Sequence, residues 1–307
     1  MDQNSLVERI LALKEKEKTV ILAHNYQLPE VQRVADFVGD SLELARKACS
    51  VEDAKHILFA GVDFMAETAA ILNPDKTVLV PSMEARCPMA AQLPRELLIL
   101  YKREHPGAEV VLYVNTLAEA KAEADCVCTS ANAPKIVGSM DSETILFGPD
   151  ANLGYYAQKQ NPDKKLVFVP PDGYCYVHKK FTTRDILDAR REHPGAEVLV
   201  HPECDPEVQK LADQICSTGQ MVRRAQVSQA KEFVVATEKE MCYTLKSRFP
   251  EKRFYPARED AICLQMKKNT LAKVYDSLRF KRFVVRVDKS VSRRAGLAIE
   301  KMLELSQ

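Results

Sequence analysis

Several features that would place a chain in a specialised class are absent from this sequence. It carries 44 basic and 43 acidic residues, a formal net charge of +1, which argues against a surface built for nucleic acid or membrane. No apolar run reaches the roughly 18 residues that a membrane-spanning helix needs. The N-terminus has no apolar core behind a basic start, so no signal peptide is expected. We therefore expect a cytoplasmic protein.

Cysteine is present nine times, and an odd number without a signal peptide favours metal binding or core packing over a disulfide framework. Cys87, Cys175 and Cys263 follow one another at intervals of 88 residues. None of the three has a partner in a C-x₂-C pair, which argues against a simple electron carrier. The remaining cysteines are expected to pack in the interior: Cys49, Cys126, Cys128, Cys204, Cys216 and Cys242.

The same spacing recurs in other residue types, which indicates an internal repeat. The octapeptide REHPGAEV stands at 103–110 and again at 191–198. Short apolar runs lead into polar tips that begin at His24, Tyr113 and His201. Hydroxyl side chains at Ser41, Ser130 and Thr218 keep nearly the same interval. Three kinds of position that each occur three times predict three homologous units around a pseudo-threefold axis.

Val/Ile/Leu-rich runs alternate with helical patterns, which is typical of parallel α/β layers. We predict three three-layer αβα units with short parallel sheets around a central active site. Their approximate bounds are 1–95, 96–182 and 183–307, the last including a C-terminal helix at 291–305. Thr116 with Glu119 and Thr237 with Glu240 resemble capping boxes.

Ligands of α/β units bind at the carboxyl ends of parallel strands, so the polar tips of the three units should converge on one cavity. Helix starts at Ser41, Ser130 and Thr218 would add unpaired N–H groups and partial positive charge. The sequence therefore predicts a small anionic substrate with carboxylates or a phosphate.

Three converging thiolates fit more than one metal. Zinc would use Cys87, Cys175 and Cys263 with a fourth ligand, for which His178 is suitably close to Cys175. A [4Fe-4S] cluster on the same three cysteines would keep one iron open as a Lewis acid.

Seven motifs carry a resemblance to the quinolinate synthase family, and the match runs from about residue 19 to the C-terminal helix. They are AHNYQ at 23–27, ADFVGDS at 35–41, GVDFMAET at 61–68, YVNT at 113–116, CTSAN at 128–132, HPEC at 201–204 and MKKNTL at 266–271. The resemblance implies an enzyme of NAD biosynthesis that condenses iminoaspartate with dihydroxyacetone phosphate to quinolinate, phosphate and water. A functional link to an L-aspartate oxidase or aspartate dehydrogenase that makes iminoaspartate is also implied.

The resemblance further implies a [4Fe-4S] cluster on Cys87, Cys175 and Cys263. The substrate-binding positions that it implies are His24, Ser41, Tyr113, Asn115, Ser130, His201, Glu203 and Thr218, with Tyr26 and His178 lining the site. Some relatives carry a further cysteine beside the last ligand, but Met266 occupies that place here, so no thiol–disulfide switch of that kind is expected.

Ring formation with two dehydrations requires repeated proton transfer. We predict Glu203 as the general base and Tyr26, His24 and His201 as proton donors or relays. Two other functions use the same cysteines: an iron–sulfur dehydratase of another polycarboxylate, and an oxygen or redox sensor. A sensor would not need the polar strand tips, which disfavours it.

Overall fold

The computed structural model describes residues 3–51 and 53–306, which form three αβ units in chain order. The first contains α1 (Gln3–Lys16), β1 (Thr19–His24), α2 (Pro29–Val34), β2 (Phe37–Gly39), α3 (Ser41–Cys49), β3 (His56–Ala60), α4 (Asp63–Leu72) and β4 (Thr77–Leu79). The second contains α5 (Arg95–Glu104), β5 (Glu109–Tyr113), α6 (Ala118–Lys121), β6 (Cys126–Cys128), α7 (Ala133–Gly138), β7 (Thr144–Gly148), α8 (Ala151–Gln160) and β8 (Lys165–Phe168).

The third unit repeats this order and leads into two further helices. It contains α9 (Thr183–Glu192), β9 (Glu197–Val200), α10 (Pro206–Gln209), β10 (Gln214–Ile215), α11 (Thr218–Val227), β11 (Glu232–Ala236), α12 (Glu240–Arg248) and β12 (Arg253–Pro256), and α13 (Leu271–Phe280) and α14 (Lys289–Leu305) follow. Short 3₁₀ turns at Ala90–Gln92, His178–Lys180 and Met266–Lys268 lie before α5, α9 and α13.

Each unit has one four-stranded sheet, and the strand order is the same in all three. The orders are β2-β1-β3-β4, β6-β5-β7-β8 and β10-β9-β11-β12, with every pairing parallel. Buried apolar residues dominate the central strands, as expected when helices cover both faces of a parallel sheet. The predicted α/β class with three repeated parallel units is confirmed.

Two helix starts differ from the sequence predictions, and two strands are shorter than the others around them. Strands β2 and β10, with three and two residues, are too short to show a pattern. Helix α6 begins at Ala118, whose N–H is accepted by Glu67 of α4 at 2.8 Å, while the Thr116 hydroxyl donates to the Tyr113 carbonyl at 2.7 Å. At the start of α12 the Glu240 N–H is accepted by Glu238 at 2.9 Å, so the predicted capping boxes at Thr116 and Thr237 are wrong.

The chain returns to the earlier units after the third sheet. Helix α13 packs on the first unit, where Leu271, Val274 and Leu278 share a core with Ile10 of α1. The apolar side of α14 joins the core formed by the first two units. The unit bounds themselves stay a prediction. Within the described ranges, no helix combines the length and apolar character needed to cross a membrane.

Candidate active site

One central cavity receives the strand ends of all three units. His24 is the last residue of β1, Tyr113 ends β5, and His201 directly follows β9. The cavity wall includes all of the residues predicted for the site: His24, Tyr26, Ser41, Cys87, Tyr113, Asn115, Ser130, Cys175, His178, His201, Glu203, Thr218 and Cys263. The structure thus brings these residues together, while their individual roles remain predictions.

The three cysteine loops each place a thiol before a 3₁₀ turn. The Cys87 sulfur accepts backbone hydrogen bonds from Ala90 and Met89, and the Cys263 sulfur accepts them from Met266 and Gln265. The Cys175 sulfur accepts the backbone N–H of His178 in the same way. Backbone N–H groups directed at sulfur stabilise a thiolate. The donor set therefore fits a metal group that binds three thiolates.

Charge around the thiols is consistent with this convergence. Burial raises the pKa of Cys175 well above its usual value, and Glu203 and the thiols of Cys263 and Cys87 raise it further. Because like charges at short range oppose ionisation, the three sulfurs favour the thiolate form together only when a cation is bound among them.

A buried chain of polar groups runs across the cavity from Tyr113 to Tyr26. Tyr113 Oη donates to Glu203 Oε1 at 2.5 Å. Glu203 Oε2 lies 2.8 Å from His178 Nδ1, a short contact without the alignment of a straight hydrogen bond. His178 Nε2 and Tyr26 Oη both contact the Thr237 hydroxyl, at 2.8 and 2.5 Å. Two phenols from different units are thereby connected through one carboxylate.

The electrostatics of this chain keep Glu203 ionised. Burial alone would raise its pKa, but His178, His201 and the hydrogen bond from Tyr113 together hold the pKa below its usual value. Burial and the charge of Glu203 raise the pKa of both Tyr26 and Tyr113 well above the usual value. Both phenols consequently keep their protons and can act as donors.

His24 and His201 have equivalent environments in the first and third units. Burial is the largest cause that lowers the pKa of each imidazole to about 3, so both rings are neutral near pH 7. Nδ1 of His24 accepts the Tyr26 N–H at 3.2 Å, and Nδ1 of His201 accepts the Glu203 N–H at 3.3 Å. The remaining proton of each ring is therefore on Nε2, which can donate to a bound group.

The hydroxyl positions lie at or near helix starts, as predicted. Ser41 and Thr218 are the first residues of α3 and α11, while Ser130 precedes α7 by a short turn. Asp40, a residue that the sequence analysis did not single out for the site, caps α3 through the Glu43 N–H at 2.8 Å and accepts the Gly219 N–H at 3.2 Å. This carboxylate links the first helix turns of two units.

Sequence reasoning missed several residues in the wall and behind it. Thr237 lies behind the wall, and only its contacts with His178 and Tyr26 connect it to the site. The apolar lining comes from Val62, Phe64, Met65, Pro88, Met89, Val177 and Met266, and although four of these lie in the motifs at 61–68 and 266–271, none was predicted to face the cavity. Side chains of this type limit the water around the reacting groups.

The other cysteines divide into buried and exposed positions. Cys126, Cys128, Cys204 and Cys216 are buried and Cys242 is partly buried, but Cys49 is exposed at the end of α3, against the packing prediction. Among the described residues, ligand atoms of Cys175, His178 and Glu203 also lie within 4.8 Å of one another. Because both ring nitrogens of His178 already have neighbours, this group fits the polar chain better than a closed zinc site.

Comparisons with known proteins find similarity over nearly the whole chain. A family model described as Quinolinate synthetase A protein matches residues 8–304. The quinolinate synthase of Pyrococcus abyssi is 58% identical over 301 residues, covering 98% of this chain and 99% of the relative. That of Thermococcus kodakarensis is 55% identical over 306 residues, with 100% of both chains covered. The chain therefore belongs to the Quinolinate synthetase A protein family, which is a family of enzymes.

Proposed function

We propose that this enzyme condenses iminoaspartate with dihydroxyacetone phosphate to give quinolinate, phosphate and water. The observation that carries the proposal is the single cavity in which three cysteine loops face the chain from Tyr113 through Glu203 to Tyr26. The names of the relatives support the product. The chemistry of the cavity supports the substrate class, since both substrates carry anionic groups.

Cys87, Cys175 and Cys263 would hold a [4Fe-4S] cluster. When bound, such a cluster would supply an iron without a protein ligand as a Lewis acid. The fit rests on three thiols that each accept backbone N–H groups in one enclosed cavity.

Substrate anions would bind to the hydroxyl and imidazole donors of the wall. Ser41 and Thr218 stand at the starts of α3 and α11, where backbone N–H groups and the helix dipole favour negative charge. The Nε2–H groups of His24 and His201 add donors from two strand ends. Donors on several units would orient both substrates relative to each other.

Proton transfer would depend on Glu203 and the two phenols. Glu203 is ionised and hydrogen-bonded to Tyr113, so it can take a proton through this phenol and return one in a later step. Tyr26, connected through Thr237 and His178, would donate at the opposite side of the cavity. Dehydration needs both a base for the carbon and an acid for the leaving hydroxyl, and this arrangement offers both.

A dehydratase of another polycarboxylate would use the same groups and is the second candidate. A redox sensor is disfavoured, because a buried polar chain aimed into a cavity has no purpose without a substrate. Iminoaspartate would have to come from an L-aspartate oxidase or aspartate dehydrogenase. The cytoplasmic location remains a prediction from the sequence.

The test is an anaerobic assay after reconstitution with ferrous iron and sulfide. We expect quinolinate from iminoaspartate and dihydroxyacetone phosphate, and loss of both iron and product in Cys87→Ala, Cys175→Ala and Cys263→Ala. The matched control is Cys242→Ala, which should keep both. An iron-loaded protein that forms no quinolinate would refute the substrates, and full iron content in the three ligand variants would refute the ligand set.

A further inference from the structure

A carboxylate of the same unit accepts the backbone N–H of two of the cysteines that we propose as ligands. Asp63 Oδ1 accepts the Cys87 N–H at 3.0 Å, and Glu238 Oε1 accepts the Cys263 N–H at 3.1 Å. In the second unit the equivalent acid is Asp150, whose Oδ1 accepts the Leu153 N–H at 2.7 Å. All three acids follow the third strand of their sheet in sequence, and Asp150 and Glu238 are fully buried.

A second set of contacts connects the loops to one another. Lys180 Nζ, after the second cysteine, donates to the Asp260 carbonyl of the third loop at 2.6 Å. Lys268 Nζ, after the third cysteine, donates to the Glu84 carbonyl of the first loop at 3.0 Å. Gln92, after the first cysteine, both donates to and accepts from the Tyr174 backbone of the second loop, at 3.0 Å each.

These three side chains occupy the same place in the repeat. Gln92, Lys180 and Lys268 are 88 residues apart, and each reaches from its own loop to the next one around the axis. The contacts form a closed ring, which runs from the first loop to the second, from the second loop to the third and from the third loop back to the first. A repeated contact that closes on itself is expected when three loops must keep one mutual geometry.

We propose that Gln92, Lys180 and Lys268 are positioning residues that set the distances between the three cysteine loops, with Asp63 and Glu238 orienting the first and third loops on their own units. The proposal rests on the cluster assignment made above. Three thiolates repel one another, and each is carried by a different unit. Outer partners of this kind orient metal ligands, and their loss commonly weakens metal binding by 10- to 100-fold.

The experiment uses the reconstituted holoenzyme and follows iron rather than activity. Lys180→Met and Lys268→Met remove the inter-loop donor but keep the length of the side chain, and both positions are only partly buried. We expect iron transfer to a ferrous chelator to be on the order of 10-fold faster than in the unmodified protein, and Lys268→Arg to restore much of the difference. Lys210→Met is the control, because Lys210 forms only an exposed pair with Glu207.

A second readout needs no cluster. Amide hydrogen exchange of the iron-free protein should accelerate around residues 84–87 in Lys268→Met and around 260–263 in Lys180→Met, whereas general destabilisation would accelerate exchange throughout. If the unmodified protein retains its iron and both variants lose iron at the same rate as it does, the proposed role of the inter-loop ring is overturned and the cluster assignment stands. An unmodified protein that takes up no iron would overturn the cluster and the ring with it.

Discussion

At the scale of single residues, the site depends on buried polar groups whose partners come from other units. Thr237 is fully buried, and its one hydroxyl serves both His178 and Tyr26. Glu203 is 3% exposed and receives Tyr113 on one oxygen while His178 lies at the other. A change of one such group therefore leaves several neighbours without a partner.

We expect Glu203→Gln to lower quinolinate formation by roughly 10²- to 10⁴-fold, the usual contribution of a general base, while iron content is retained. An amide keeps the size of the side chain but cannot take up the proton. Turnover and iron content of the same preparation provide the measurement. The control is Glu232→Gln on β11, whose carboxylate pairs with the exposed Arg253. Unchanged turnover in Glu203→Gln with an intact cluster would show that this assignment is wrong.

For Thr237→Val we expect kcat to fall about 10-fold or more and the pH profile to shift, because a methyl group replaces the hydroxyl that connects Tyr26 to His178. Thr237→Ser keeps the hydroxyl and should recover most of the rate. Loss of the shared partner costs about 1–3 kcal/mol in stability, which equilibrium unfolding can separate from the kinetic effect. Equal pH profiles for the valine and serine variants would contradict a role in the polar chain.

At the scale of the elements, helix starts and loops are joined across unit boundaries. Helix α6 of the second unit carries Lys121, which is fully buried against α4 of the first. Its Nζ donates to Thr68 Oγ1 at 2.9 Å and lies 5.4 Å from the centre of the Phe64 ring. Phe64 belongs to the cavity wall, so this lysine supports the site from behind.

Burial lowers the pKa of Lys121 to about 8, despite the opposing charges of Glu67 and Asp63. Well below pH 8 both folded and unfolded chains carry the proton, and the folded state bears the cost of a buried charge. Between about pH 8 and pH 10.4, the ordinary pKa of lysine, only the unfolded chain keeps the Lys121 proton. The free energy of unfolding therefore rises with pH in this window. We expect the stability of the unmodified protein relative to Lys121→Met to increase by roughly 3 kcal/mol from pH 7 to 10.5. Urea unfolding of both proteins at the two pH values tests this, and a constant difference would contradict it.

At the scale of the whole molecule, the C-terminal helix packs against two units that are distant from it in sequence. Arg294 of α14 pairs with Glu123 at 3.0 Å, and Arg46 of α3 donates to the Ser306 carbonyl at 2.8 Å. Ala295, Ala298, Ile299 and Met302 are buried in the core shared by the first two units. Helix α14 thus stabilises the contact between the first two units, which both contribute residues to the cavity wall.

Ile299→Ala should destabilise the protein by about 2–5 kcal/mol, because a fully buried side chain is replaced by a cavity. Leu297→Ala on the same helix is the matched control, since Leu297 is 63% exposed and should change stability by less than about 0.5 kcal/mol. Denaturant unfolding distinguishes the two. Similar effects of both substitutions would show that α14 is not anchored through its apolar side.

The sequence by itself determined the repeat, the fold class and the convergence of the three cysteines. The 88-residue interval repeats both apolar pattern and polar strand ends, and similar local patterns fold into similar units. A parallel sheet then directs every strand end, including His24, Tyr113 and His201, to one side. Local backbone preference and symmetry suffice for these conclusions.

Only the tertiary structure decided which side chains share a hydrogen bond and where the last helices pack. Tyr26 and Thr237 are 211 residues apart, and Tyr113 and Glu203 are 90 apart. The local sequence at Thr237 resembles a helix cap, yet packing of the third unit against the first and second gives its hydroxyl two other partners, Tyr26 and His178. Such contacts depend on how the units dock and on which polar groups become buried together, and neither is encoded in a local pattern.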